Sequence, residues 1–257
     1  LNAREGRLLA LEEQRLAERC DATILVSEAE AGLFRSRLKV SRSARIEVIG
    51  NGIDARLFDS RTVKVYKELS AESGPHFVFT GQMDYRPNEA AALWAIEHFL
   101  PKALERYPNA QFHIVGRAPT ASLLRHQDKP GVRIWGEVPD TRPFLAGATC
   151  VVTPLQIARG VQNKVLEAMA MARPVQLTPQ AATGIAASDG EHWMVEALDP
   201  QNMVKRVEAL MAEPAYAERM GQAARDFVLA NHDWDATLAP LAHLVGSDHM
   251  QEKRDAA

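Results

Sequence analysis

Two oppositely charged side chains, Lys164 and Glu167, lie shortly after a glycine-containing loop that follows an apolar strand. The strand reads ATCVVT (Ala148 to Thr153), the loop contains Gly160, and the pattern predicts a helix after it. Free N–H groups and the helix dipole favour an anion such as phosphate at the start of such a helix. A carboxylate one to two turns further on can accept hydrogen bonds from a ribose diol. The segment therefore indicates a nucleotide-diphosphate site, although an ordinary strand–helix unit with a surface glutamate has the same spacing.

The composition indicates an ordinary globular protein. Of 257 residues, 46% are hydrophobic and 25% are charged, and 30 basic and 33 acidic residues give a net charge of -3. This balance argues against a nucleic-acid or anionic-membrane surface. No apolar run approaches the roughly 20 residues that span a bilayer. Cys20 and Cys150 lie far apart and fit a reducing compartment, with Cys150 in the core, so we expect a soluble, cytoplasmic protein.

From residue 75 onwards, apolar strands alternate with helices. The predicted strands are 76–81, 111–116, 132–136, 148–153, 174–178 and 192–196, and the predicted helices are 87–106, 120–125, 141–147, 163–172, 202–211, 215–230 and 234–244. Before them we predict a helix over 1–19, a strand over 22–26, a helix capped by Ser27 and a strand over 45–50. Continuously apolar strands in this order predict a parallel sheet covered by helices on both faces, with ligands at its carboxyl edge. That edge would hold Gly81, Gly116, Gly136 and the loop 154–160.

In this order of elements, the sequence resembles the C-terminal half of a GT-B glycosyltransferase of family 4. The resemblance covers about residues 44–244 and rests on VIGNGID, FTGQMDYRPNEAA, FHIVGRAP, VRIWGEVPDTRPFLAGATCVVTPL, VLEAMAMARPVQLTP and ANHDWDATLAPL. It implies an α/β, GT-B-type, Rossmann-like parallel sheet, together with a short remnant of the N-terminal domain. It also implies a nucleotide-sugar donor and transfer with retention of anomeric configuration. The runs MDYRPN and ARG-x-QNK-x-LEAMA are most similar to sugar transferases of bacterial exopolysaccharide systems linked to PEP-CTERM protein sorting.

The resemblance also implies a division of the chain. It assigns 1–57 to the end of the N-terminal (acceptor) domain and the hinge, 58–74 to a linker, 75–232 to the nucleotide-sugar-binding domain, 233–246 to a helix that crosses back to the N-terminal domain, and 247–257 to a frayed tail. On this interpretation the chain is a truncated enzyme, and we expect it to bind donor but to transfer little or no sugar by itself.

Two positions depart from the family pattern. The family places two glutamates eight positions apart, and here Glu167 is the second while Arg159 occupies the first. The ribose role therefore carries over to Glu167, whereas Arg159 binds the diphosphate or an acidic sugar, or is a solvated or structural arginine. The family also uses an arginine and a lysine after the first strand of the domain, but the arginine position holds Gln82, which is a candidate donor-binding residue. The candidate catalytic cations are Arg86 and Lys164, each with an ordinary surface role as the alternative.

The remaining candidate donor-binding residues contribute backbone groups or shape. Gly81, Gly160, Val161 and Gln162 would hold the diphosphate through N–H groups, Asn163 would cap the helix, and Trp135, Gly136 and Val138 would line the base site, with a core position as the alternative for Trp135. His113 and His192 are interpreted as structural. No cluster has metal-ligand spacing, so we expect no cofactor and no metal, only a UDP- or GDP-sugar substrate.

The prediction is thus a retaining hexosyltransferase that acts in exopolysaccharide biosynthesis. Its partners would be the nucleotide-sugar and a glycan or lipid-linked acceptor held through the N-terminal domain, with no nucleic acid. Peripheral membrane association would concern the full-length enzyme only. A GT-B-fold sugar-nucleotide epimerase and a non-catalytic nucleotide-binding module are the alternatives. The sugar, the base, the acceptor and the oligomeric state stay open.

Overall fold

The computed structural model describes residues 2–38, 44–71, 73–158 and 160–246. The described strands are β1 (Thr23–Leu25), β2 (Ile46–Val48), β3 (His76–Thr80), β4 (Gln111–Val115), β5 (Val132–Gly136), β6 (Cys150–Thr153), β7 (Val175–Leu177) and β8 (Met194–Val195). The described helices are α1 (Asn2–Arg19), α2 (Glu28–Arg37), α3 (Lys67–Ala71), α4 (Arg86–Trp94), α5 (Leu100–Arg106), α6 (Ala121–Leu124), α7 (Arg142–Ala146), α8 (Asn163–Ala170), α9 (Pro200–Ala212), α10 (Pro214–Asn231) and α11 (Trp234–Leu244). A π-helical segment, Ala95–Phe99, joins α4 to α5.

The chain divides into two compact units. The first consists of the described residues up to Gly52 and from Trp234 onwards, and the second is Ile53–Asp233. In the first unit β1 and β2 pair in parallel, and the Ser27 hydroxyl caps α2 by accepting from the N–H of Glu30 at 3.2 Å. Gly52 allows α11 to approach, because a Cβ there would lie 2.6 Å from the ring of Trp234.

The second unit is built on a six-stranded parallel sheet in the order β5-β4-β3-β6-β7-β8. All residues of β3, β4, β6 and β7 are buried, so both faces of these strands are covered, as their almost continuously apolar sequences predict. The chain proceeds outwards from β3 through β4 to β5, and then returns to the other side of β3 to form β6. The carboxyl ends of β3 and β6 thus flank the point where the strand order reverses, the usual ligand position in such sheets.

The predicted linker, 58–74, belongs to the second unit, and the boundary lies at 52/53 rather than at 57/58. Tyr66 stacks on Phe144 with ring centroids 4.3 Å apart, and Leu69 is buried. The prediction of a linker rested on the polar residues of the segment, but Phe58, Val63 and Val65 also pack against the core.

The predicted single helix over 87–106 is interrupted by the π-helical turn. Its last N–H, that of Leu100, donates to the carbonyl of Ala95, five residues back. Pro101 follows at once, and a proline ring in a regular helix clashes with the carbonyl four residues before it. The wider turn accommodates this proline without ending the helix.

Candidate functional site

The loops after β3 and β4 meet at the carboxyl edge of the sheet. The N–H of Gly81 donates to the carbonyl of Val115 at 3.1 Å, and the N–H of Gly116 donates to that of Gly136 at 2.9 Å. Gly116 has a φ of +148°, and a Cβ at this position would lie 1.7 Å from the Gly81 oxygen. Glycine is therefore required where these two backbones approach each other.

A cavity of about 470 Å³ opens at this edge of the sheet, a volume typical of small-molecule sites. Its lining comes from the ends of β3 and β4, from the loops that follow β3, β4 and β5, from the first turn of α4 and from α8. The lining residues are Thr80, Gly81, Gln82, Asn88, Val115, Gly116, Arg117, Glu137, Val138, Thr141, Lys164 and Glu167.

The ammonium group of Lys164 is held at this cavity by neutral partners. Its Nζ donates to Asn88 Oδ1 at 2.5 Å and lies 4.5 Å from the ring centre of Phe79. Asn88 is itself buried, and its Nδ2 donates to the Gln82 carbonyl at 2.9 Å, which fixes the amide orientation. A Cβ at Gly81 would lie 2.8 Å from the same Nζ, so the glycine also provides space for the ammonium. Burial lowers the pKa of Lys164 to about 8, although the negative charge of Glu167 opposes this shift.

Glu167 is three residues further along α8, on the same side of the helix as Lys164. Burial raises the pKa of this carboxyl, and the positive charge of Lys164 lowers it in part. Burial therefore disfavours the ionised form of both side chains. Two half-buried groups with perturbed pKa values in one cavity are the pattern of a functional site.

Arg117 occupies the mouth of the cavity. Its guanidinium donates to Gln82 Oε1 from Nε at 3.2 Å and from Nη2 at 2.6 Å, and its backbone carbonyl accepts from the N–H of Met83 at 2.9 Å. Arg117 was not predicted from the sequence as a site residue, nor were Asn88, Glu137 and Thr141. A signal was available for Arg117, since it directly follows the glycine after β4.

The predicted site residues divide into two groups. Gly81, Gln82, Val138, Lys164 and Glu167 line the cavity together. The N–H of Gly81, predicted to hold the diphosphate, instead donates to the carbonyl of Val115. The predicted residues that are not among the lining residues are Arg86, which is the exposed first residue of α4, Trp135, Gly136, Gly160, Val161, Gln162 and Asn163.

Trp135 belongs to an aromatic cluster and does not line the cavity. Its indole N–H donates to His113 Nδ1 at 3.1 Å, and its ring packs edge-on against Tyr66 and also contacts Phe144. The ring of His113 is fully buried, and burial lowers its pKa to about 3. Trp135 is thus half-buried and packs against the core, and Gly136 follows it at the rim with a φ of +67°.

The loop before α8 differs from the prediction in one respect. The N-cap is Gln162 in an extended conformation, and Asn163 is the first helical residue, so the predicted cap at Asn163 is wrong. The Gln162 Nε2 donates to the carbonyl of Gly160 at 3.3 Å, and Gly160 has a φ of +62°. Val161 is half-buried and packs against the core. Arg159 lies outside the described residues.

Two further properties concern the described part of the chain. Among these residues, no group of three or more His, Cys, Asp or Glu side chains could hold a metal ion. Likewise, no helix in the described ranges combines the length and apolarity needed to cross a membrane.

The parallel sheet, its covering helices and the cavity at its switch point define the GT-B-type α/β fold of glycosyltransferases. The sequence profile of the family "Glycosyl transferases group 1" matches residues 74–213, more than half of the chain. The chain therefore belongs to this family. It has no match among curated protein sequences.

Several solved structures share the fold at low sequence identity. Sucrose-phosphate synthase from Thermosynechococcus elongatus aligns over 94% of this chain and 62% of its own, with 20% identity and a TM-score of 0.70. Anabaena HepE, solved in complex with UDP and glucose, aligns over 91% of this chain and 65% of its own, with 15% identity and a TM-score of 0.71. The C-terminal domain of LpcC, a group 1 glycosyl transferase from Francisella tularensis, aligns over its whole length and 71% of this chain, with 17% identity and a TM-score of 0.53. The chain thus spans less than two thirds of the length of the first two structures.

Proposed function

We propose that the cavity binds the nucleotide-diphosphate part of a nucleotide-sugar, and that the protein transfers the sugar to an acceptor. The observation that carries this proposal is the meeting of Lys164 and Glu167 with the glycine-ended strands β3 and β4 at one cavity. A cation and a carboxylate three residues apart on one helix match the two ends of a ribose diphosphate. Membership of the family supports the reaction class.

The described side chains would act by electrostatics and positioning. The Lys164 ammonium would stabilise the negative charge that develops on the diphosphate as the sugar–oxygen bond breaks. Asn88 would hold that ammonium in place through its Oδ1. Glu167 would accept hydrogen bonds from the ribose hydroxyls, which would favour its ionised form and oppose the effect of burial on its pKa.

The finer assignments rest on the resemblance of the sequence. Retention of configuration, a hexosyl donor and a glycan or lipid-linked acceptor in exopolysaccharide formation belong to the enzymes that share the MDYRPN and ARG-x-QNK-x-LEAMA runs. A PEP-CTERM-associated system is the most specific form of this proposal. Anabaena HepE has been solved with UDP and with UDP-glucose, so UDP is the first nucleotide to test.

Isothermal titration of the chain with UDP and GDP tests the donor site. We expect micromolar to millimolar binding of one nucleotide, and the Glu167→Gln variant should weaken it by about 1 to 3 kcal/mol through loss of a charged hydrogen-bond partner. Glu105→Gln is the matched control, since Glu105 pairs with Lys102 on an exposed surface outside the cavity lining. Equal binding by Glu167→Gln and wild type, or no binding of either nucleotide, would remove the proposal.

A non-catalytic nucleotide-binding module is the second candidate function. It is favoured by Arg159, which stands where the family pattern has the glutamate that contacts the donor sugar. An arginine cannot accept a hydrogen bond from a sugar hydroxyl. Titration with UDP-glucose and UDP separates the two candidates, because a module that reads only the nucleotide should bind both with the same affinity.

A further inference from the structure

Arg117 presents a positive charge to the cavity that its protein partners do not neutralise. Its guanidinium hydrogen bonds go to the amide oxygen of Gln82, which is a neutral acceptor. They use Nε and Nη2, so the edge formed by Nη1 and Nη2 retains donors for a ligand. That edge has the fork geometry that binds phosphate oxygens in pairs. The side chain is exposed and the cavity is open to it.

The loop that carries Arg117 is held at both ends. Gly116 packs directly on the Gly81 carbonyl, and Ala118 adopts a left-handed conformation with a φ of +54°. Such a conformation costs a non-glycine residue roughly 1 to 2 kcal/mol, so it persists only where the surroundings determine the backbone. The Met83 N–H also donates to the Arg117 carbonyl, which ties this loop to the loop after β3. The position of the guanidinium is therefore set by the fold and by Gln82.

The cavity contains two cationic side chains among its lining residues, Arg117 from the loop after β4 and Lys164 from α8. We propose that Arg117 is the second diphosphate-binding residue, delivered from the β4 loop and oriented by Gln82. This inference rests on the proposed function. It assigns the role to Arg117 instead of Arg86, which lies outside the cavity lining, and it gives Gln82 a positioning role instead of direct ligand contact.

Titrations with UDP, UMP and uridine test the role of the charge. Arg117→Gln should weaken UDP binding by about tenfold or more, as expected for charge-assisted hydrogen bonds to phosphate, and leave uridine binding unchanged. Arg117→Lys keeps the charge without the fork and should give a smaller loss. Arg86→Gln tests the competing cation, and a loss of UDP affinity in this variant as large as that in Arg117→Gln would overturn the assignment to Arg117. Arg125→Gln controls for the change in net charge and should bind UDP as wild type does, because the Arg125 side chain is paired only with Ser122 in the described structure.

A double-mutant cycle tests the role of Gln82. Gln82→Ala should weaken UDP binding in the wild-type background and have almost no further effect in the Arg117→Gln background, because its contribution acts through Arg117. Circular dichroism confirms that each variant is folded. If wild type binds UDP and Arg117→Gln binds it equally well, or if Arg117→Gln weakens uridine to the same extent, this inference is overturned while the proposed function stands. If wild type binds no nucleotide, both are overturned.

Discussion

Two pairs of charged side chains in the second unit differ in how the protein compensates their charges. One pair is the buried Asp59 and Arg225, and the other is the half-buried Lys164 and Glu167 at the cavity. Arg225 donates to the carbonyls of Ala55, Phe58 and Ala170, and its Nη2 lies 3.0 Å from the Asp59 carboxylate. Its donors are directed to acceptors within the protein, and the contacts join segments about 170 residues apart in sequence. The positive charge of Arg225 therefore gains little from further hydrogen bonds to a ligand.

The pKa values show the same difference between the two pairs. Hydrogen bonds from Arg61, reinforced by the charge of Arg225, lower the pKa of Asp59 to about 2, so the fold favours its ionised form. At the cavity, burial moves the pKa values of Lys164 and Glu167 towards the neutral forms. The comparison suggests a criterion: a charge that the protein fully compensates supports the fold, whereas a charge that burial disfavours gains most from a bound ligand.

The largest effect should follow from breaking the compensated pair. Arg225→Met leaves the carbonyls of Ala55, Phe58 and Ala170 without this donor, and an unsatisfied buried acceptor costs about 1 to 3 kcal/mol. Asp59 loses one cationic partner but keeps Arg61, so we expect a loss of about 3 kcal/mol or more. Chemical denaturation should show this decrease in the free energy of unfolding. Arg219→Met is the matched control, because Arg219 pairs with Glu213 at the surface, where such pairs contribute about 0 to 1 kcal/mol. Equal stability of the two variants would show that the contacts of Arg225 contribute no more than a surface ion pair.

Contacts within one helix could be predicted from the sequence, whereas contacts between distant segments could not. Lys164 and Glu167 belong to one helix, so their spacing was sufficient to place them on one side of it. Asn88 contacts Lys164 from 76 positions away, and Asp59 contacts Arg225 from 166 positions away. No local period encodes such contacts, because they depend on the strand order.

The strands and the carboxyl edge of the sheet could be predicted from the apolar runs of the sequence, whereas the roles of some residues at that edge could not. The almost continuously apolar β3 and β6 could be predicted because strands covered on both faces carry few polar residues. Trp135 was predicted to line the base site because its strand resembles the base-binding strand of the family, but a strand directs alternate side chains to opposite faces. Arg86 and Arg117 both follow strand ends, and only the packing of the two loops decides which of them reaches the cavity.

The next largest effect should follow from removing an uncompensated charge. Lys164→Met should weaken UDP binding by about 1.5 to 3 kcal/mol, as for a hydrogen bond to a charged group. Lys102→Met, on an exposed ion pair outside the cavity lining, is the control. Titration calorimetry measures the loss, and thermal unfolding verifies that both variants are folded. If Lys164→Met binds UDP as wild type does, the cavity charge has no ligand role and the criterion fails.

The smallest effect should be a dependence of UDP affinity on pH. Because burial lowers the pKa of Lys164 to about 8, the free protein loses this positive charge as the pH rises through 8, and each UDP bound above that pH requires a proton to be taken up. Affinity should therefore be nearly constant up to about pH 7.5 and fall by about tenfold one unit above the pKa. Measurements from pH 7.5 to 9.5 avoid the terminal phosphate, whose pKa is about 6. Lys164→Met should remove the dependence, and a slope that persists in that variant would assign the titration to another group and contradict this prediction.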